Sequence, residues 1–327
     1  MVGKKYLLVL KWELPQGGPM TVTTAEQHRT TAALPLVAAG ITMVLWASAF
    51  IAIRSIGAHY SPGSLALGRL AVGSLALSAV AVLRPRRVPR GRPLLLVLAY
   101  GALWFGVYAI FINAAEHHLD AGTTALLVNV GPILIAVLAG VYLKEGFPRG
   151  LVAGLAIAFC GVATIAAATS TGRRDLTGVL LALGAAGLYA IGVVLQKQAL
   201  TSVDPFTATW LGCLAGAAVC LPWTGTLIHE VAAAPAPATL GLVYLGLFPT
   251  AVAFATWAYA LHRMTAGQLS SSSYLVPAIA VLMSWALLGE VPTMLALAGG
   301  ALCLLGVAVT RSPGLFRSSP ATDDRCR

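Results

Sequence analysis

One long stretch of this chain occurs twice. From Ala121 it reads AGTTALLVNVGPILIAVLAGVYLKEGFPRGLVAGLAIAFCGVA, and from Ala266 it reads AGQLSSSSYLVPAIAVLMSWALLGEVPTMLALAGGALCLLGVA, at a constant offset of 145 residues. Gly122 falls on Gly267, Pro132 on Pro277, Leu143 on Leu288, Glu145 on Glu290, Gly154 on Gly299 and Gly161 on Gly306. Glycine, proline and glutamate are uncommon in apolar runs and each has a geometric meaning, so their agreement marks an internal duplication rather than shared leucine. Upstream the repeat is fainter and its offset is 143: Trp46 falls on Tyr189, Arg54 on Lys197 and Pro62 on Pro205. A two-residue indel joins the two registers.

The medium follows from composition. Of 327 residues, 58% are apolar and only 10% charged, against about 25% charged in soluble domains. The apolar runs reach the roughly 20 residues that a bilayer-crossing helix needs. Turn and cap signals divide them into ten expected spans, at 33–53, 62–83, 93–114, 121–143, 149–168, 177–197, 205–224, 237–260, 266–288 and 291–311. The fold class is therefore an all-α polytopic membrane protein with short connections and no soluble domain.

The net charge of +10 does not describe a nucleic-acid surface, because the basic residues sit in short loops between spans. With a cytoplasmic N-terminus, seventeen Lys and Arg fall on inner segments and three, Arg54, Arg173 and Arg174, on outer ones, leaving Arg69 inside a span. Both termini are then expected in the cytoplasm of a multi-pass protein of the cell membrane. Each copy of the repeat holds five spans, an odd number, so successive copies enter the membrane from opposite sides and form two inverted five-helix repeats. The expected organisation is a 1–32 cytoplasmic tail, a 33–168 first repeat, a 169–176 extracytoplasmic linker, a 177–311 second repeat and a 312–327 cytoplasmic tail. Tyr6 to Leu10 is too short for a signal-peptide core, and Met20 opens a more conventional leader, so residues 1–19 are expected to be a misplaced start. No Cys or His spacing fits a zinc site, and Cys213 and Cys220, two turns or about 10 Å apart on one helix, are too far apart for a disulfide.

The chain resembles the ten-span EamA-type exporters of the drug/metabolite transporter superfamily. The resemblance rests on Trp46-Ala-Ser-Ala-Phe50-Ile-Ala-Ile-Arg54, on Pro62 with Arg69, and on the Pro132, Glu145, Gly154, Gly161 spacing with its copy Pro277, Glu290, Gly299, Gly306. It covers about residues 33–311. It implies two inverted five-helix halves around a central cavity and export of metabolites, amino acids or drug-like compounds by alternating access. Two departures make the halves chemically unequal: Gly212 stands where Arg69 would repeat, and Val291 where Gly146 would.

Candidate residues follow from their positions. A charge deep in a span costs at least about 2.5–3.5 kcal/mol, so Arg69 is expected to face a cavity and to favour an anionic group there, unless it snorkels toward the helix end. Tyr274 mirrors Asn129 across the repeat, and the two are candidates for a polar lining. Trp46, Trp104, Tyr108, Tyr189, Trp257 and Tyr259 are candidates for an aromatic wall, with tryptophan and tyrosine also expected at membrane interfaces. Pro132 and Pro277 each remove a backbone hydrogen bond in mid-span, which suits hinges. Glu145 and Glu290 are expected to cap the helices that follow them, the fifth and the tenth. Gly150, Gly154 and Ala158 form a small-residue stripe, expected to pack helices and able to serve a homodimer. The expected partners are a small-molecule substrate and membrane lipids, with no nucleic acid, cofactor or metal. Glu116, His117, His118 and Asp120 crowd one span end but read as a solvated loop. Two other classes compete with a transporter: a membrane-embedded lipid-modifying enzyme, which would need clustered acids or nucleophiles deep in spans, and a non-transporting scaffold or sensor.

Overall fold

The structure is a computed structural model that describes residues 25–83, 87–118, 124, 127–169, 175–288 and 293–310. The 1–19 start, the C-terminal tail, Arg84, Arg86, Arg173, Arg174, Asp120 and Glu290 lie outside the described residues, and with them much of the charge pattern that sets orientation.

All described secondary structure is helical. Helix α1 covers Ala25–Ile56, starting eight residues before its expected span, and α2 covers Pro62–Leu83. Helix α3 runs from Arg92–Tyr100 through a π-helical segment Gly101–Val107 to Tyr108–His118. Helices α4, α5 and α6 are Gly131–Tyr142, Arg149–Thr169 and Leu176–Ala199. Helix α7, Pro205–Cys220, continues past its expected end through a 3-10 turn at Leu221–Trp223 into Thr224–Ala233. Helix α8 joins Ala236–Leu245, a second π segment Gly246–Val252 and Ala253–Arg263; α9 joins Ala266–Ser271, a 3-10 turn Ser272–Tyr274 and Leu275–Leu288; α10 is Met294–Thr310. Among the described residues seven helical stretches are long and apolar enough to cross a membrane, and α4, α5 and α10 supply shorter apolar helices.

Side-chain caps account for several helix starts. Asp175 accepts the Thr177 N–H at 2.9 Å, Asp204 that of Thr207 at 3.1 Å, and Thr265 that of Gln268 at 3.2 Å. The exposed Asp175 carboxyl is held below its ordinary pKa by the Thr177 N–H and by His118, whose ring lies 2.7 Å away and ties the end of α3 to the start of α6.

The duplication is visible as geometry. The two π segments begin at Gly101 and Gly246 and end at Val107 and Val252, the same 145-residue offset. A Cβ on Gly101 would lie 2.4 Å from the Gly212 carbonyl oxygen, and one on Gly246 would lie 2.8 Å from that of Arg69. Gly212 is the counterpart of Arg69 at the 143 offset, so the same close backbone approach is made twice, once in each direction. It also explains why the second half has glycine there: the Tyr100 ring and hydroxyl fill the space that a side chain on Gly212 would need.

Helices α5 and α10 repeat this reciprocity. A Cβ on Gly154 would meet the Gly306 oxygen at 2.5 Å, and one on Gly161 the Gly299 oxygen at 2.6 Å, while the Cys303 thiol sits 3.6 Å from the Ala158 carbonyl oxygen between them. The small-residue stripe at Gly154 and Ala158 is thus covered by α10 of the same chain.

The prolines act differently from the expected mid-helix kink. Pro132 lies in the first turn of α4, after a turn at Asn129-Val130, and Pro277 lies in the first turn of Leu275–Leu288, after the 3-10 turn. Each follows a break instead of bending a continuous helix, which suits a residue that cannot donate to the carbonyl four positions back. The turn after α4 has a strained point: Lys144 has φ 56°, where Gly289 stands in the second copy. Lys144→Gly is expected to raise the melting temperature through a gain of about 0.5–1 kcal/mol, the left-handed penalty less the glycine entropy cost. An unchanged or lower melting temperature counts against that strain.

Candidate functional site

A cavity of about 800 Å³, its open mouth included, lies among α1, α2, α3, α6, α8, α9 and the residues just before α4. Its lining comes from the last third of α1 (Trp46, Phe50, Ile53), the first half of α2 (Arg69), the second half of α3 (Trp104, Tyr108, Asn113), and Val128 and Asn129 before α4. Tyr189, Phe254, Ser273 and Val276 come from the second repeat. These positions set the cavity between mid-bundle and the end where the 57–61 turn and Asp175 stand. Both halves of the duplication contribute to it.

Its wall is aromatic. Trp104, buried behind the surface, has its ring centroid 6.3 Å from Trp46, 5.2 Å from Tyr189 and 5.1 Å from Phe254, and Trp46 lies 5.0 Å from Trp257. Such pairs are worth about 0.5–1.5 kcal/mol each beyond area burial, so the wall is a rigid surface. The widened π turn carrying Trp104 sets that ring against Gly192, where a Cβ would fall 2.5 Å from the Trp104 Cβ.

Arg69 is half-buried on the cavity and its Nε donates to Thr250 Oγ1 at 3.0 Å. Thr250 lies in the second π segment, and its own hydroxyl proton goes to the Leu245 carbonyl at 2.8 Å.

Of the expected residues, the cavity gathers Trp46, Arg69, Trp104, Tyr108, Asn129 and Tyr189. Trp257, Tyr259 and Tyr274 are not among its lining, and Trp257 and Tyr274 are fully buried. Trp257 backs Trp46 and donates its indole N–H to Gln196 Oε1 at 3.1 Å. Tyr274 packs with Leu155, Ala158 and Cys303: the 3-10 turn rotates the chain so that Ser273, not Tyr274, reaches the cavity. Matching the repeat one residue earlier, Val128 against Ser273, points to both lining positions. Phe254 and Asn113 are lining residues beyond the expected set; a lone phenylalanine in an apolar run carries no sequence signal, whereas Asn113, bonded to the Pro62 carbonyl at 2.9 Å, is a polar residue inside a span.

At the end of α6 away from Asp175, charged side chains tie neighbouring helix ends together. Lys197 Nζ donates to the carbonyls of Leu261 at 2.6 Å and Met264 at 2.5 Å, at the end of α8. The Glu145 carboxylate accepts the N–H groups of Ala266 at 2.9 Å and Gly267 at 3.2 Å. Glu145 therefore caps α9, not the fifth helix that follows it, because the left-handed turn at Lys144 directs the chain across to the other half. Among the described residues four buried polar atoms lack a hydrogen-bond partner, Tyr189 Oη, Gln196 Nε2, Thr207 Oγ1 and Tyr274 Oη. Tyr189 lines the cavity, and Gln196 lies two turns further along α6, next to Lys197. Among the described residues no group of three or more His, Cys, Asp or Glu could hold a metal.

A helical bundle of membrane-crossing segments around a cavity drawn from two repeats defines a multi-pass membrane protein of transporter type. Residues 34–167 and 176–312 each match the EamA-like transporter family, and the chain belongs to that family. It is 36% identical over 282 residues to a protein of Streptantibioticus cattleyicolor described as a probable terminal-alkyne amino-acid exporter, covering 86% of this chain and 95% of that one. It is 36% identical to the uncharacterized transporter YdfC of Bacillus subtilis, covering 84% and 90%, and 26% identical to a probable amino-acid metabolite efflux pump of Salmonella typhimurium, covering 82% and 92%. A solved crystal structure superposes with a TM-score of 0.70 at 22% identity, covering 85% of this chain and 96% of the other, and shares its fold.

Proposed function

We propose that this protein is a secondary transporter of the cell membrane that exports small metabolites by alternating access, with ten membrane-crossing helices in two inverted halves and both termini in the cytoplasm. The observation that carries this reading is the cavity itself: both repeats line it, and away from it Glu145 of the first repeat holds the start of α9 in the second. The reciprocal approaches of Gly101 to Gly212 and Gly246 to Arg69 support halves packed about a two-fold axis, and the odd number of expected spans in each half places that axis in the membrane plane. On the charge pattern the cavity mouth faces outward, the state in which an exporter releases its load. The names of relatives favour amino-acid-like cargo.

The test is flux in inverted membrane vesicles. Uptake of a neutral amino acid is expected to exceed that of vesicles lacking the protein by several-fold and to fall to background in a Trp104→Ala chain, whose wall collapses. Equal uptake with and without the protein, across neutral amino acids and their close derivatives, would reject the reading.

A further inference from the structure

Of the rings on the cavity, Trp46, Phe50 and Tyr108 are half-exposed, while Trp104, Tyr189 and Phe254 are buried. Trp46 is held on several sides. Its centroid lies 5.0 Å from Trp257 with the ring planes 31° apart, and Phe254 and Trp104 cross it at 60° and 80° from 5.4 and 6.3 Å. Trp257 is fully buried, takes no part in the lining and is itself pinned by the bond from its indole N–H to Gln196 Oε1. It therefore covers the face of Trp46 that points away from the cavity, and the exposure that Trp46 retains lies on the cavity side. The counterpart of Trp46 in the second repeat is Tyr189, which is buried against Gly131, where a Cβ would lie 2.7 Å from the Tyr189 Cδ1. Of this pair, Trp46 is the one that keeps free ring surface.

An aromatic face braced from behind and open in front does what an aliphatic wall of the same area does not. Its quadrupole favours a second ring, offset-stacked or edge-on, beyond what burial of area supplies. The preference is carried by the ring of the ligand and not by its charge. A volume of about 800 Å³, mouth included, has room for a ring with a small substituent. Resting on the transport reading above, we infer that Trp46 is the stacking platform of the cavity and a specificity-determining residue, and that the substrate carries a flat aromatic ring.

The experiment holds charge constant and separates binding from transport. Purified full-length protein in detergent is titrated by calorimetry with phenylalanine and with cyclohexylalanine, which share one backbone and one charge state and differ in whether the ring is flat and aromatic. The wild type is expected to bind phenylalanine about two- to tenfold more tightly, although the saturated ring is the more apolar. Trp46→Leu is expected to remove that preference by weakening phenylalanine alone, and Trp46→Phe to keep most of it. Trp285→Leu, on an exposed face outside the cavity, is expected to leave it unchanged. Should the leucine chain lose its monodisperse profile on size exclusion, Trp46→Met serves the same purpose. A wild type that binds neither ligand or binds both alike, or a preference that survives Trp46→Leu or Trp46→Met, overturns the proposal. If the preference depends on Trp46 while vesicles show no flux, the platform stands and the transport reading falls. Flux without the preference leaves transport standing and removes the platform.

Discussion

In a chain carrying Gln196→Cys, the added change Glu145→Gln is expected to raise the rate at which a membrane-impermeant thiol reagent labels that cysteine from the cytoplasmic face by about tenfold. Gln196 lies on α6 two turns beyond the cavity-lining Tyr189 and next to Lys197, with its amide nitrogen buried and unpartnered. With the orientation proposed above, a pathway between cavity and cytoplasm has to pass this region. What holds it shut is a pair of charged groups around the α8–α9 connection: Lys197 on two carbonyls at the end of α8 and Glu145 on two N–H groups at the start of α9. The Glu145 contact joins the first repeat to the second, so separating the halves at this end breaks it. Neutralising the carboxylate removes the charge from two hydrogen bonds whose net worth is about 1.5–3 kcal/mol each, enough to shift a two-state population by an order of magnitude. The four unpartnered polar atoms push the same way, since each is more stable once water reaches it, by about 1–3 kcal/mol. Cys213, Cys220 and Cys303 are buried and Cys160 is exposed, so labelling is read on the peptide that carries position 196. Unchanged labelling after Glu145→Gln, with Lys197→Met equally silent, would mean that the closed end is a static floor and Glu145 a helix cap only.

The fold is legible in the sequence wherever a residue type has one geometric use. Repeated glycines and prolines mark the duplication, and among the described residues seven helical stretches long and apolar enough to cross a membrane fall on expected spans, while Gly131–Tyr142, Arg149–Thr169 and Met294–Thr310 supply shorter apolar helices on the others. Arg69 reaches the cavity because a charge within a span has few other places to go. The partners of those residues are not legible in the same way. Sequence order assigns Glu145 to the helix that follows it and says nothing of the turn at Lys144 that carries it to α9. A continuous helix through Pro277 would put Tyr274 in the cavity; the 3-10 turn shifts the face by about one residue and brings Ser273 there instead. The paired π segments leave no trace although Gly101 and Gly246 share the offset, because a π turn is a backbone arrangement and its residues look like any apolar helix.

The reciprocal glycine contacts lead to the sharpest test of how the halves are related. Gly154 and Gly299 are counterparts, as are Gly161 and Gly306, yet contact runs across the pairs. A Cβ on Gly154 would meet Thr310 Cγ2 at 2.4 Å and the Gly306 oxygen at 2.5 Å, and one on Gly299 would meet Ile165 Cγ1 at 2.8 Å and the Gly161 oxygen at 2.7 Å. Thr310 is itself the counterpart of Ile165, so each glycine sees the same surroundings from the opposite half. Main-chain oxygens cannot turn aside as a side chain can, so even alanine forces α5 and α10 apart. Each of Gly154→Ala and Gly299→Ala is expected to cost about 1–3 kcal/mol, and leucine at either position more, with loss of monodisperse protein. Gly187→Leu, where nothing lies within 4 Å of the added Cβ, is expected to leave yield and melting temperature near the parent values. The discriminating outcome is equality: Gly154→Ala and Gly299→Ala should lower the melting temperature alike, as should Gly161→Ala and Gly306→Ala, if the halves pack about a two-fold axis near Ala158 and Cys303. Clearly unequal losses between counterparts would mean that the halves do not pack about such an axis.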